Sequence, residues 1–283
     1  MTRLGGIRKA VLATTLVLML SAFPMALAQA PADHVKDCGP IDFVFIIDTS
    51  GSYADDIGEV KAALAGIFLA LDHASAADLR TGLVGINDEV VVHQTLTTVE
   101  ADTMAKIMAL VASGGAGFAE SSDEALNTVV NLKLAADRPP GKQIGDWTTA
   151  FDDMRGGMPV RKIIVLATDA PPGGFDDVYT PGVDDVNAHT RALEAAGKGI
   201  KIGAIDAGTD AVTHAVMMDY AATTGGKYIL QVGPAEIVTG ILDIIGTCGG
   251  VTVPEMGLAL PLITSIAAVA AISIRRLRVK EVA

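Results

Sequence analysis

Aromatic side chains are scarce in this 283-residue chain, at 4% of residues with a single Trp. The hydrophobic half of the composition must therefore build its core from Ala, Val, Ile and Leu. Only two cysteines are present, which excludes a disulfide-dense miniprotein. Bases are few between the ends: residues 29–256 carry 14 bases against 32 acids, a net of −18. Such a surface repels phosphate backbones and excludes nucleic acid as a partner, whereas divalent cations and basic partners suit it. The five histidines are scattered without metal-ligand spacing. No Gly-x-Ser-x-Gly elbow, complete phosphate loop or internal repeat occurs, and the apolar content excludes disorder.

The two ends differ from the middle. Arg3, Arg8 and Lys9 precede the apolar run Val11–Leu20 and the small-residue pattern Ala26-Leu27-Ala28. This is the form of a signal peptide over residues 1–28, cut after Ala28 so that Pro31 does not follow the cleaved bond. An uncleaved anchor is the alternative, but the apolar run is short for a span. At the other end, residues 257–274 hold no charge, and Arg275, Arg276, Arg278 and Lys280 follow at once. That pattern predicts a transmembrane helix over 257–274 with a basic cytoplasmic tail over 275–283, leaving the folded part outside the cell. Val253-Pro254-Glu255 before the span resembles a prokaryotic sorting signal, which implies cutting by a sortase-like protease; a plain anchor fits equally.

Between the ends, residues 38–248 read as one domain and 249–256 as a short linker. Ile41–Ile47, Lys162–Ala167 and Ile200–Ile205 are near-continuous apolar runs, as expected of strands buried on both faces. Thr81–Ile86 and Val90–Thr97 flank Asn87-Asp88, a hairpin turn. Ile57–Leu71, Ala101–Ala112, Ser122–Leu134, Val183–Ala196, Ala211–Thr223 and Ala235–Ile245 have helical spacing, and Lys227–Val232 is a short strand. The class is α/β: a doubly wound, Rossmann-like, mostly parallel sheet of about six strands, with helices on both faces and one antiparallel edge hairpin. Cys38 lies just before the first strand and Cys248 just after the last helix. Outside the cell they are expected to form a disulfide, a free buried pair being the alternative.

Ligands of such sheets gather where strands end. Asp48-Thr49-Ser50-Gly51-Ser52 sets one carboxylate and two hydroxyls on alternate residues of a tight turn after the first strand, and Thr168-Asp169 ends a central one. Oxygen donors without His or thiolate suit a hard cation, Mg²⁺ first, then Mn²⁺ or Ca²⁺. The alternative is that Asp48, Ser50 and Ser52 merely cap the following helix, which needs only one such residue.

At these residues the chain resembles the von Willebrand factor type A (vWA) domain from about Ile41 to Ile245. The family's metal-ion-dependent adhesion site uses Asp-x-Ser-x-Ser, matched by Asp48, Ser50 and Ser52, and a later strand-end Asp, matched by Asp169. The usual loop Thr is missing from Gly114–Ser121; the loop is similar to the integrin β-subunit version, in which a Glu reaches the metal, and Glu120 holds that position. The same variant implies an adjacent Ca²⁺ held by Asp55 and Asp56, although favourable charge in a helix's first turn explains those acids equally well. A third integrin-type site is not expected, because Gly115 and Gly117 stand where oxygen side chains are needed. The resemblance implies a membrane-anchored binding module that captures a partner protein's carboxylate, and no enzyme. The rivals are an assembly subunit of a membrane or envelope complex and, further off, a metal-assisted phosphohydrolase.

Overall fold

The computed structural model describes residues 38–115, 117–230 and 233–245. Residues 1–28 and 249–283, with the expected leader, linker, membrane helix and tail, lie outside the described residues, as does Cys248.

The most apolar stretch of the chain forms the centre of the sheet. Strand β1 (Ile41–Asp48) is buried along its whole length between two parallel neighbours, β2 (Leu79–Ile86) and β7 (Arg161–Thr168). Outward from β7 come β8 (Ile200–Asp206) and β9 (Lys227–Leu230), both parallel; outward from β2 come antiparallel β3 (Val90–Thr97) and then the two-residue β4 (Gln143–Ile144). The sheet thus has seven strands. The β2–β3 hairpin is not quite at the edge, because β4 pairs outside it. A separate small hairpin joins β5 (Met154–Arg155) to β6 (Met158–Pro159).

Period-two alternation divides β1 between two cores. Phe43, Phe45 and Ile47 face helices α1 (Ile57–Ser75), α2 (Glu100–Ala109) and α6 (Pro234–Ile245). Val44 and Ile46 face α3 (Ser122–Asn131), α4 (Asp184–Gly197) and α5 (Ala211–Thr224). The few aromatics are spent centrally: the Phe43 and Phe45 rings lie 4.8 Å apart, and Phe45 stacks on Phe68 of α1 at 5.7 Å. Helix α4 meets the sheet through Ala188, Ala192 and Ala195, small side chains at helical spacing that bring it close.

Residues 132–160, whose strands sequence spacing does not reveal, run from β4, beside the start of β3, past the middle of β2 to residues 150–155 at the N-terminal strand ends. Trp147 is fully buried there. Asp42, at the start of β1, is also fully buried; it accepts hydrogen bonds from Arg80 Nε at 2.8 Å and from Arg155 Nη1 at 2.6 Å. Arg155 also donates to the carbonyl oxygens of Ile41 and Asp78, fastening the β5–β6 hairpin to the sheet.

Among the described residues, no helix is long and apolar enough to cross a membrane.

Candidate metal centre

The candidate ligands come from three chain segments that meet at the C-terminal strand ends. Asp48 closes β1 and is fully buried. Its Oδ1 accepts the Ser50 backbone N–H at 2.8 Å, and its Oδ2 accepts the Thr168 hydroxyl at 2.5 Å. Ser50 and Ser52 lie in the turn that follows, with their hydroxyls 3.0 Å apart, and the Ser52 hydroxyl donates to Asp169 Oδ1 at 3.2 Å. The Ser50 hydroxyl is also within reach of the carboxyls of Asp48 and Glu120, which compete for its single proton. Asp48, Ser50, Ser52, Glu120 and Asp169 therefore lie in one contiguous cluster.

None of the three turn residues caps a helix. The short 3₁₀ turn Ser52–Ala54 has no side-chain cap, and α1, with Asp56 at its N-cap position, has none either. The capping alternative therefore fails.

Glu120 is held by its backbone: its N–H donates to the Pro171 carbonyl, and its own carbonyl accepts the Gly173 N–H, both at 2.9 Å. This ties the 111–121 loop to the 170–178 loop. The Glu120 side chain is 3% exposed, yet Oε2 has no hydrogen-bond partner. Gly115 makes this approach possible. It has φ +81°, and a Cβ there would stand 3.3 Å from both Glu120 Oε1 and Ser50 Cβ.

Crowding shows in the acidities. Burial, then the neighbouring Asp48 charge, pushes the Glu120 carboxyl up to about 8. Burial pushes Asp48 up to about 6, against the hydrogen bonds from Thr168 and Ser50. Burial also raises Asp169. Each shift reports a carboxylate held away from water without enough counter-charge, the condition a bound cation relieves. Among the described residues, no three His, Cys, Asp or Glu side chains group closely enough to hold a metal by themselves. The set depends on the serine hydroxyls as much as on the acids, and such all-oxygen donors fit Mg²⁺, Mn²⁺ or Ca²⁺.

The two further acids separate. Asp55 is exposed. Asp56 is half-buried, and its carboxyl is raised by burial and then by Asp169, which places it within the field of the site. Two supporting residues carry no role in the sequence reading. Thr168 positions Asp48, and Asn87 braces the loops by donating to the Ser113 carbonyl while its own carbonyl accepts from Ser121. Cys38 is not a free thiol, and its Sγ lies 3.7 Å from the carbonyl oxygen of Ile245.

The family model described as von Willebrand factor type A domain matches residues 42–233. No curated protein matches the sequence. Among solved structures, the pilus adhesin SpaC from Lactobacillus rhamnosus GG, in its open conformation, is similar at 14% identity and a TM-score of 0.50, over 74% of this chain and 30% of its own. An aerotolerance-related membrane protein from Bacteroides fragilis is 14% identical over 73% of this chain and 98% of its own, at a TM-score of 0.48. The conserved hypothetical protein BatB from Bacteroides thetaiotaomicron is 14% identical over 73% of this chain and 100% of its own, at a TM-score of 0.49. With a family model spanning most of the chain, on a mostly parallel sheet with helices on both faces, this protein belongs to the von Willebrand factor type A domain family.

Proposed function

We propose that this vWA domain holds a divalent cation, Mg²⁺ first, at Asp48, Ser50, Ser52, Glu120 and Asp169, and binds a protein partner through that partner's carboxylate. Glu120 carries the reading. Its buried Oε2 lacks a partner, and it shares Ser50 with Asp48. No basic side chain offsets Asp48, Glu120 or Asp169 among the described residues. A bound cation supplies that charge and an open coordination position. The serines are neutral, so the three carboxylates balance it while Thr168 and Ser50 fix the direction of Asp48. Without the cation, a partner's acid approaching residues 29–256, which carry a net of −18, is repelled, so the metal also selects the partner. Asp56 is the better placed of the two acids for an adjacent Ca²⁺. The domain is a binding module, not an enzyme, and is tethered outside the cell by residues 257–274.

The test is thermal unfolding of wild type and Asp169→Ala, each with Mg²⁺ and with chelator. Mg²⁺ at about 100 times its Kd stabilises wild type by about 2.7 kcal/mol. Asp169→Ala loses this gain while keeping its fold, because the residue sits at a half-buried strand end. Equal melting in all four conditions sinks the metal site.

A further inference from the structure

The loops that frame the candidate centre carry apolar side chains in the open. Phe118 and Val178 are each 60% exposed, and Val111 is 74% exposed. The first two sit on loops packed backbone to backbone: a Cβ on Gly117 would stand 2.0 Å from the Asp177 carbonyl oxygen, and one on Gly173 3.4 Å from the Ala119 carbonyl carbon. Phe118 precedes Glu120 by two residues, which in extended chain is roughly 6–7 Å. Val111 begins the stretch whose Ser113 N–H and Gly114 carbonyl hold the Asp48–Ser52 turn, at 2.8 Å each. Exposed apolar groups scattered singly need no explanation, but two on adjoining loops and a third across the Asp48–Ser52 turn, all framing one acidic site, do. Acids ring them: Asp176 is exposed, and Asp88 and Asp177 are half-buried. Lys142 reaches this rim, donating to the Asp88 carbonyl at 3.2 Å and lying 3.9 Å from Asp177 Oδ1.

We propose that Phe118, Val178 and Val111 form a specificity surface beside the metal centre. It takes a peptide loop in which a bulky apolar residue lies within two positions of the metal-binding Asp or Glu, with Lys or Arg beyond. The spacing follows from reach: adjacent Cα atoms of a partner chain are 3.8 Å apart, so one or two residues span the distance from Glu120 to Phe118. The flanking bases follow from charge, because Asp88, Asp176 and Asp177 repel any further acid. Contact with the ring would bury apolar surface that now faces water, adding affinity that the cation alone does not give.

This inference rests on the proposed cation site, and the experiment separates the two. The full chain in detergent micelles is panned in Mg²⁺ against displayed random heptapeptides with a fixed central Asp, and bound peptides are eluted with chelator. The expected pool is enriched in Phe, Leu, Ile or Met within two positions of the Asp and in Lys or Arg at its ends. A synthetic consensus peptide then binds Phe118→Ser/Val178→Ser about tenfold more weakly than wild type, with its Mg²⁺ dependence kept. Phe118→Leu, which preserves apolar bulk, stays within about threefold. Chelator-eluted peptides without apolar bias, or apolar peptides that remain bound through chelation, overturn the specificity surface alone. A panning with no chelator-sensitive peptide overturns it together with the cation site.

Discussion

Replacing Glu120 by Gln exchanges a buried carboxyl for a neutral group of nearly the same shape, which separates the residue's two effects. In chelator, the variant no longer carries the cost of an acid that burial and Asp48 hold at about 8, so it should be more stable than wild type by about 1–3 kcal/mol. For a domain of this size that is a rise of several degrees, about 2–4 °C per kcal/mol. In Mg²⁺ the order should narrow or invert, because one of three balancing carboxylates is gone. Melting curves in the two buffers check both signs; a variant less stable than wild type in chelator would show that Glu120 is there for packing. The positions of Asp48, Ser50 and Ser52 are legible in sequence because alternation in one turn is a local signal. Thr168 is not, since its bond to Asp48 exists only because β1 and β7 are neighbours, and nothing within Arg161–Thr168 encodes that neighbour.

The elements divide in the same way. Val90–Thr97 has the expected bounds, and the other main strands and helices keep their cores with ends moved by a few residues, because buried strands and amphipathic helices announce themselves by period. The 132–160 segment does not, since its strands are two residues long and its attachment is ionic. Asp42 is the centre of that attachment. Burial raises its carboxyl, but the hydrogen bonds from Arg80 and Arg155 outweigh burial and leave it below its ordinary value. A lowered acid contributes stability that is full above its unfolded pKa of about 4 and is lost as pH falls through the folded value. Asp42→Ala leaves Arg80 and Arg155 with only the more exposed Asp152 and Asp78 as partners and should cost about 3 kcal/mol. Urea midpoints between pH 7 and pH 3 check this: the gap between wild type and variant should be constant near neutrality and close below about pH 4. A gap that is flat through the acid range would mean that the Asp42 cluster adds no ionic stability.

At the scale of the whole molecule, two expectations concern how the domain is closed and where it is held. Cys38 lies beside the end of α6, at Ile245, and Cys248 follows three residues later in sequence. A bridge between them would close nearly the whole domain and stabilise it by about 5 kcal/mol in the chain-entropy model. Cys38→Ser and Cys248→Ser should each lower the melting temperature by about 10 °C, and the double variant no further. The same end of the fold leads into the expected anchor. Eighteen helical residues rise about 27 Å, close to the thickness of a bilayer's hydrocarbon core, and the four bases after them favour the cytoplasmic side. Among the described residues no helix is long and apolar enough to cross a membrane. Deleting residues 257–283 should therefore move the protein from the membrane fraction to the soluble one. The expected disulfide and the proposed Mg²⁺-dependent melting should be unchanged, because neither involves the deleted segment. Fractionation after signal cleavage, with the Mg²⁺ melting shift as the control for folding, decides it. A folded, truncated chain that stays with the membrane after signal cleavage would move the attachment to a membrane-bound partner.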